Sequence, residues 1–99
     1  MTSCLDVTKN MLDQPMEIRT DRSLNFSEAR ALADHEANRI DGDPMLLAWF
    51  DRSARRFSPD VICCDTSKPT WLVYAEKRGG TISVDINDED YVFIYRPGM

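Results

Sequence analysis

Residues 45–51 read Met-Leu-Leu-Ala-Trp-Phe-Asp. A run this apolar has to be hidden from water, and seven residues is strand length rather than helix length. It predicts a central strand from Met45 to Asp51, buried on both faces or nearly so. The rest of the chain must therefore supply a sheet around it and something to cover that sheet.

Two further segments alternate at period two, the mark of strands with one apolar face. Met16 to Thr20 is one. Thr81 to Ile86 is the other, with Ile82, Val84 and Ile86 pointing inward. Tyr91 to Tyr95 is expected as the last strand, joined to it by the turn Asn87–Asp90 in a terminal hairpin. Phe57 to about Cys63 is expected as the strand returning from Met45–Asp51, with Pro59 keeping its start at an edge or bulge. The clearest helix runs from Ser27 to about Asp41. Ser27 is expected as its N-cap and Phe26 as an entry staple. Ala29, Leu32, Ala33, Ala37 and Ile40 form its apolar face, and Gly42 and Pro44 stop it. Residues 67–80 fit either a helix or a strand. The helix is favoured, because Ser67 and Pro69 suit a helix start and Gly79 a helix end.

The order is β-α-β-β-α-β-β. This is an α+β class: a mostly antiparallel sheet of about five strands with two helices on one face, a ferredoxin-like arrangement being one candidate. Residues 16–99 are expected to form this single domain, and residues 1–15 a loosely ordered N-terminal arm. Two Trp, four Phe and three Tyr supply much of the core of this 99-residue chain. A domain of this size buries roughly 60–70% of its unfolded surface. That leaves little room for a deep enclosed pocket, so function is expected at a surface, a groove or a subunit interface.

Charge narrows the partners. Twelve Lys and Arg against 17 Asp and Glu give a net charge of −5, which argues against nucleic acid and against anionic membrane surfaces. No apolar run approaches the length of a membrane span, and the start of the chain lacks a signal-peptide core. A cytoplasmic protein is expected. Cys4, Cys63 and Cys64 make an odd count, which fits free thiols in a reducing compartment. Cys63-Cys64 is a candidate redox pair, although vicinal cysteines lack the two-residue spacing of metal and redox motifs. No metal or other cofactor is expected. The acidic turn Asp85–Asp90 imitates the start of a calcium loop but has Asp90 where that loop needs Gly and Arg96 where it needs Glu. A hairpin turn explains it at less cost. His35, the single histidine, sits mid-helix without a nucleophile at usable spacing.

Arg55 and Arg56, with Arg52 before them, form one basic turn. Arg78-Gly79-Gly80 forms another. Either could hold a phosphate or carboxylate, because guanidinium forks match oxyanions and Gly permits close backbone approach. The expected function is a small non-enzymatic binding or interaction module, with a protein partner or self-association through a sheet edge or a Trp-bearing face. The alternative is a small-anion binding protein or minor enzyme using these arginines.

Ala48-Trp49-Phe50-Asp51, Ser58-Pro59-Asp60-Val61, Pro69-Thr70-Trp71, Tyr74-Ala75-Glu76, Arg78-Gly79-Gly80 and Tyr91-Val92-Phe93-Ile94 resemble a small family of uncharacterised archaeal and bacterial proteins of about this length. The resemblance implies a compact α+β domain. It carries no activity and no site residue with it.

Overall fold

A computed structural model describes residues 7–12, 14–59 and 68–98. Five strands and two helices follow in the expected order: β1 (Met16–Ile18), α1 (Phe26–Ile40), β2 (Met45–Asp51), β3 (Arg56–Ser58), α2 (Thr70–Lys77), β4 (Ile82–Ile86) and β5 (Tyr91–Arg96). The strands form one sheet in the order β1, β4, β5, β2, β3. β1 runs parallel to β4, and the other three pairings are antiparallel. The sheet is therefore mixed. β1, β2 and β4 all point the same way, and their carboxyl ends meet at one end of the sheet.

The two helices lie on opposite faces, not on one. The cause is legible in β5, whose Tyr-Val-Phe-Ile-Tyr is apolar on both sides. Tyr91, Phe93 and Tyr95 join Ile82, Val84 and Ile86 under α1. Val92 and Ile94 join Ala48 and Phe50 under α2. A sheet apolar on both faces needs a cover on each. This placement and the parallel β1–β4 edge exclude the ferredoxin-like arrangement.

α1 buries Ala29, Ala33 and Ala37 fully against the sheet, with Phe26 and Leu32 partly buried beside them. Ile40, expected on that face, is 56% exposed at the last turn. The helix begins two residues earlier than expected. Asn25, not Ser27, is the N-cap: its side chain accepts from the Glu28 amide, and the Glu28 carboxylate accepts from the Asn25 amide. This reciprocal pair satisfies two otherwise orphaned donors.

On the other face Trp71 is fully buried and stacks on Phe50, with ring centroids 5.6 Å apart. Burying a side chain of this kind contributes roughly 1.5–3 kcal/mol. α2 is a helix, as favoured, but Pro69 is its N-cap position. Ser67 lies outside the described residues. Trp49 is half-buried beside Phe26 at 4.6 Å. β2 is not buried throughout: it is second from the edge, carries a bulge between Leu46 and Ala48, and leaves Met45 50% exposed. Before β1, a single 3₁₀ turn (Lys9–Met11) is flanked by Val7 and Leu12, both buried in the α2-side core.

Candidate functional site

Three connections meet where β1, β2 and β4 end: residues 19–25, 52–55 and 87–90. The last is the unusual one. Asn87, Asp88 and Glu89 all have positive φ, at 52°, 56° and 64°. Only Gly visits this region freely, though Asn and Asp tolerate it. Side chains hold the turn in place. The Asn87 amide N–H donates to the Ile18 carbonyl at 2.8 Å, and Asn87 Oδ1 accepts from the Thr20 amide at 2.8 Å. Asp88 takes both ends of the Arg19 guanidinium, at 2.6 and 2.8 Å. The Glu89 amide donates to Asp85 Oδ1 at 2.6 Å.

The β2–β3 connection is clasped to this turn by Arg52. Its amide donates to the Asp90 carbonyl and its Nε to the Glu89 carbonyl, each at 3.0 Å. The guanidinium also reaches the Val7 carbonyl and lies 5.2 Å from the Phe50 ring centre. Asp51, buried at the end of β2, accepts from Ser53 and from the Ala54 amide. Between the connections lies a solvent-open depression of about 700 Å³, lined by Arg19 to Leu24, Ser53, Asn87, Asp88, Asp90 and Tyr91. The Tyr91 hydroxyl donates to the Leu24 carbonyl at its base.

The charges here are strongly coupled. Hydrogen bonds from Arg19 and then Lys9 hold Asp88 below the usual carboxylate range. Lys9 and Arg19 are pushed up in turn, Lys9 chiefly by Glu17 and Arg19 chiefly by Asp88. Glu89 moves the other way. Loss of water around it, then the neighbouring Asp85 carboxyl, push it up to about 7. At the far end of the sheet, desolvation and then Asp34 raise Tyr95, whose hydroxyl donates to Asp34 Oδ1.

The arginines singled out in the sequence do not converge. Arg55 and Arg56 are exposed at the β2–β3 tip, beside the depression through Ser53. Arg78, Gly79 and Gly80 are at the opposite end of the sheet, between α2 and β4. Their chemistry is spent on ending α2. The Arg78, Gly79 and Gly80 amides donate to the carbonyls of Ala75, Glu76 and Ala75. The Arg78 guanidinium sits 3.8 Å from the Tyr74 ring centre and donates to the Tyr74 carbonyl. A helix carboxyl terminus carries partial negative charge, which disfavours an anion. Cys63 and Cys64 lie outside the described residues, and His35 is exposed on α1. Among the described residues, no three His, Cys, Asp or Glu side chains are grouped to hold a metal ion, and no helix is long and apolar enough to cross a membrane.

Sequence reasoning missed Arg19, Arg22, Arg52, Asp85, Asn87 and Glu89 as parts of one locality. They come from three segments that the β1–β4 and β2–β5 pairings bring together. The one local signal was a hairpin turn rich in Asn and Asp but lacking Gly.

A two-faced mixed sheet with a helix on each side and a polar loop cluster at one end defines a small α+β domain. Residues 13–95 match the family model described as a domain of unknown function, DUF5619, and the chain belongs to that family. It is also similar to a solved structure, AF1514 from Archeoglobus fulgidus DSM 4304, at 25% identity and a TM-score of 0.74. The likeness covers 89% of this chain and 96% of that one. No curated protein matches the chain. The resemblance to an uncharacterised family holds, with an archaeal relative.

Proposed function

We propose that this domain is a non-enzymatic binding module that engages an acidic protein segment at the end of the sheet where β1, β2 and β4 terminate. One observation carries the reading: the exposed Arg55–Arg56 tip stands beside an open depression whose own cations are already committed. Arg19 is held by Asp88, Arg22 by Glu28, and Arg52 by the Glu89 and Val7 carbonyls and the Phe50 ring. Among the described residues, the Arg55 and Arg56 side chains have no such partner. The two uncommitted guanidiniums favour carboxylates with good geometry, while the net charge of −5 on the rest of the chain repels acidic surfaces elsewhere. The open, polar shape suits a chain segment better than an enclosed small molecule. The overall charge supports a partner other than nucleic acid and other than a membrane surface.

The test is affinity capture from native extract with the full chain, its Arg55→Gln/Arg56→Gln variant and, as control, Arg78→Gln. A protein recovered by the parent and by Arg78→Gln, but lost from the double variant, supports the reading. Equal recovery by all three would sink it. A small carboxylate or phosphate is the second reading, favoured by the same adjacent pair of guanidiniums. A ligand at about 100 times its Kd stabilises by roughly 2.7 kcal/mol. A thermal-shift panel of anions should then show a hit that the double variant abolishes.

A further inference from the structure

We propose that Asp85 and Glu89 form a proton-binding site, a carboxyl–carboxylate pair that shares one proton and loosens the β4–β5 turn when it is lost. Asp85 is 1% exposed and sits in β4 opposite Glu17 of β1 and Val92 of β5. Its Oδ1 accepts the Glu89 amide. Its Oδ2 is buried with no donor, and Glu89 Oε2 is buried with no donor either. The two orphaned oxygens belong to carboxyl groups that the Asp85 Oδ1–Glu89 amide bond ties to one turn, and Asp85 adds to the upward push on Glu89. Ionised carboxylates are acceptors only. Two acceptors in contact repel unless one of them carries a proton. A single shared proton removes both orphans at once.

The surrounding charges do not replace that proton. Lys9, from the 3₁₀ turn, is 3.9 Å from Glu89 Oε2 but only 2.6 Å from Glu17 and 3.2 Å from Asp88. Arg19 is taken by Asp88. Arg52 donates to the Glu89 carbonyl rather than to its carboxylate. Asp90, the next residue, is exposed and adds negative charge.

When the proton leaves, a second negative charge stands against buried Asp85. The Glu89 side chain is the one able to turn outward, since it is 15% exposed and its position is at the rim. Its backbone has positive φ, as have Asn87 and Asp88 before it. The turn therefore loses a contact that helps hold three left-handed residues. Asn87, Asp88 and Asp90 also line the depression, so proton loss would reshape that wall. The link to partner binding rests on the function proposed above; the proton site does not.

The sign is set by the folded state holding the proton more tightly than the unfolded chain. Glu89 rises from 4.5 to about 7. The pair therefore stabilises the fold at low pH, and that contribution is lost as pH rises through about 7.

The experiment needs no partner. It follows the side-chain carboxyl carbons of the full chain by NMR through a pH titration, with urea unfolding at about pH 5.5 and about pH 8.5. Glu89 is expected to titrate with a midpoint near 7, and the folding equilibrium constant to fall about thirtyfold between the two conditions. Glu89→Gln keeps an N–H donor for Asp85 and has nothing to titrate, so it should flatten that fall. Asp85→Asn should return Glu89 to the ordinary glutamate range; if that variant does not fold, the parent titration and Glu89→Gln decide. A parent Glu89 that titrates in the ordinary range, or a Glu89→Gln variant that keeps the full pH dependence, would overturn the proposal.

Discussion

Two turns at opposite ends of the sheet solve the same problem in different ways. Both α2–β4 and β4–β5 need backbone in the left-handed region. The first uses Gly79, at φ 85°, and closes with backbone hydrogen bonds alone. The second uses Asn87, Asp88 and Glu89 in succession and closes with side chains from three segments. A left-handed conformation costs an ordinary residue roughly 1–2 kcal/mol, less for Asn and Asp and nothing for Gly. Where the chain only has to stop a helix, glycine is the cheaper choice. Where the turn also has to present carboxylates and an amide, it keeps the side chains and bears the strain. Strain of this kind is more often found at sites than in plain connectors.

The largest effect is expected where glycine is needed for space. A Cβ at Gly80 would stand 2.8 Å from the Ala75 carbonyl oxygen and 2.8 Å from Ile94 Cγ2. One of these is backbone and the other is core, so neither moves freely. Gly80→Ala should destabilise by about 3 kcal/mol, read as a fall of more than about 10 °C in Tm. A Cβ at Gly79 meets nothing within 4 Å. Gly79→Ala should therefore lose only about 1 kcal/mol, from its φ alone. Equal losses at the two positions would mean that backbone angle, and not space, governs this turn.

Asn87 tests the other end. Asn87→Ala keeps the strain and removes two hydrogen bonds, to the Thr20 amide and hydroxyl. It leaves the Thr20 N–H, in a half-buried position, without its acceptor. About 2 kcal/mol should be lost by urea unfolding. Asn87→Gly removes the same bonds but relieves φ, and should lose about 1 kcal/mol. A glycine variant more stable than the parent would break the comparison, because the side chain would then contribute nothing that offsets its strain.

The difference between the turns also explains what could be read from sequence. Helix α2 was legible because Pro69 and Gly79 punctuate it locally. The strand order was not, because the parallel β1–β4 pairing joins residues 16–18 to residues 84–86 and leaves no local mark. The opposite placement of the helices was available in principle. Tyr91 to Tyr95 is apolar on both faces, and β4 buries Ser83 and Asp85 as well as its isoleucines and valine. The alternation of Thr81 to Ile86 predicts one wet face, although a polar residue in a strand is equally compatible with a buried partner. The capping box Asn25-Phe26-Ser27-Glu28 is also present in the sequence, but Ser27 is itself a good N-cap residue and competes with the Asn three residues before Glu28. Of the candidate site, the arginine tip at Arg55 and Arg56 and the acidic turn Asp85–Asp90 were each local enough to single out, but not their meeting. The carboxyl pair was hidden, since Asp85 and Glu89 meet only because three residues between or beside them turn left-handed.

The smallest effects separate the two arginine groups. Arg78→Gln removes the guanidinium from the Tyr74 ring and from the end of α2. Such exposed contacts contribute about 0.5 kcal/mol, and a loss of that order is expected. Arg55→Gln should not change stability measurably, because Arg55 makes its turn hydrogen bond through its amide, to the Arg52 carbonyl, and not through its side chain. The order should reverse in binding. Arg55→Gln, alone or with Arg56→Gln, should weaken partner capture, while Arg78→Gln should leave it intact. If Arg78→Gln weakens capture and the tip variants do not, recognition belongs at the glycine turn, and the strain at Asn87–Glu89 must be explained by the proton alone.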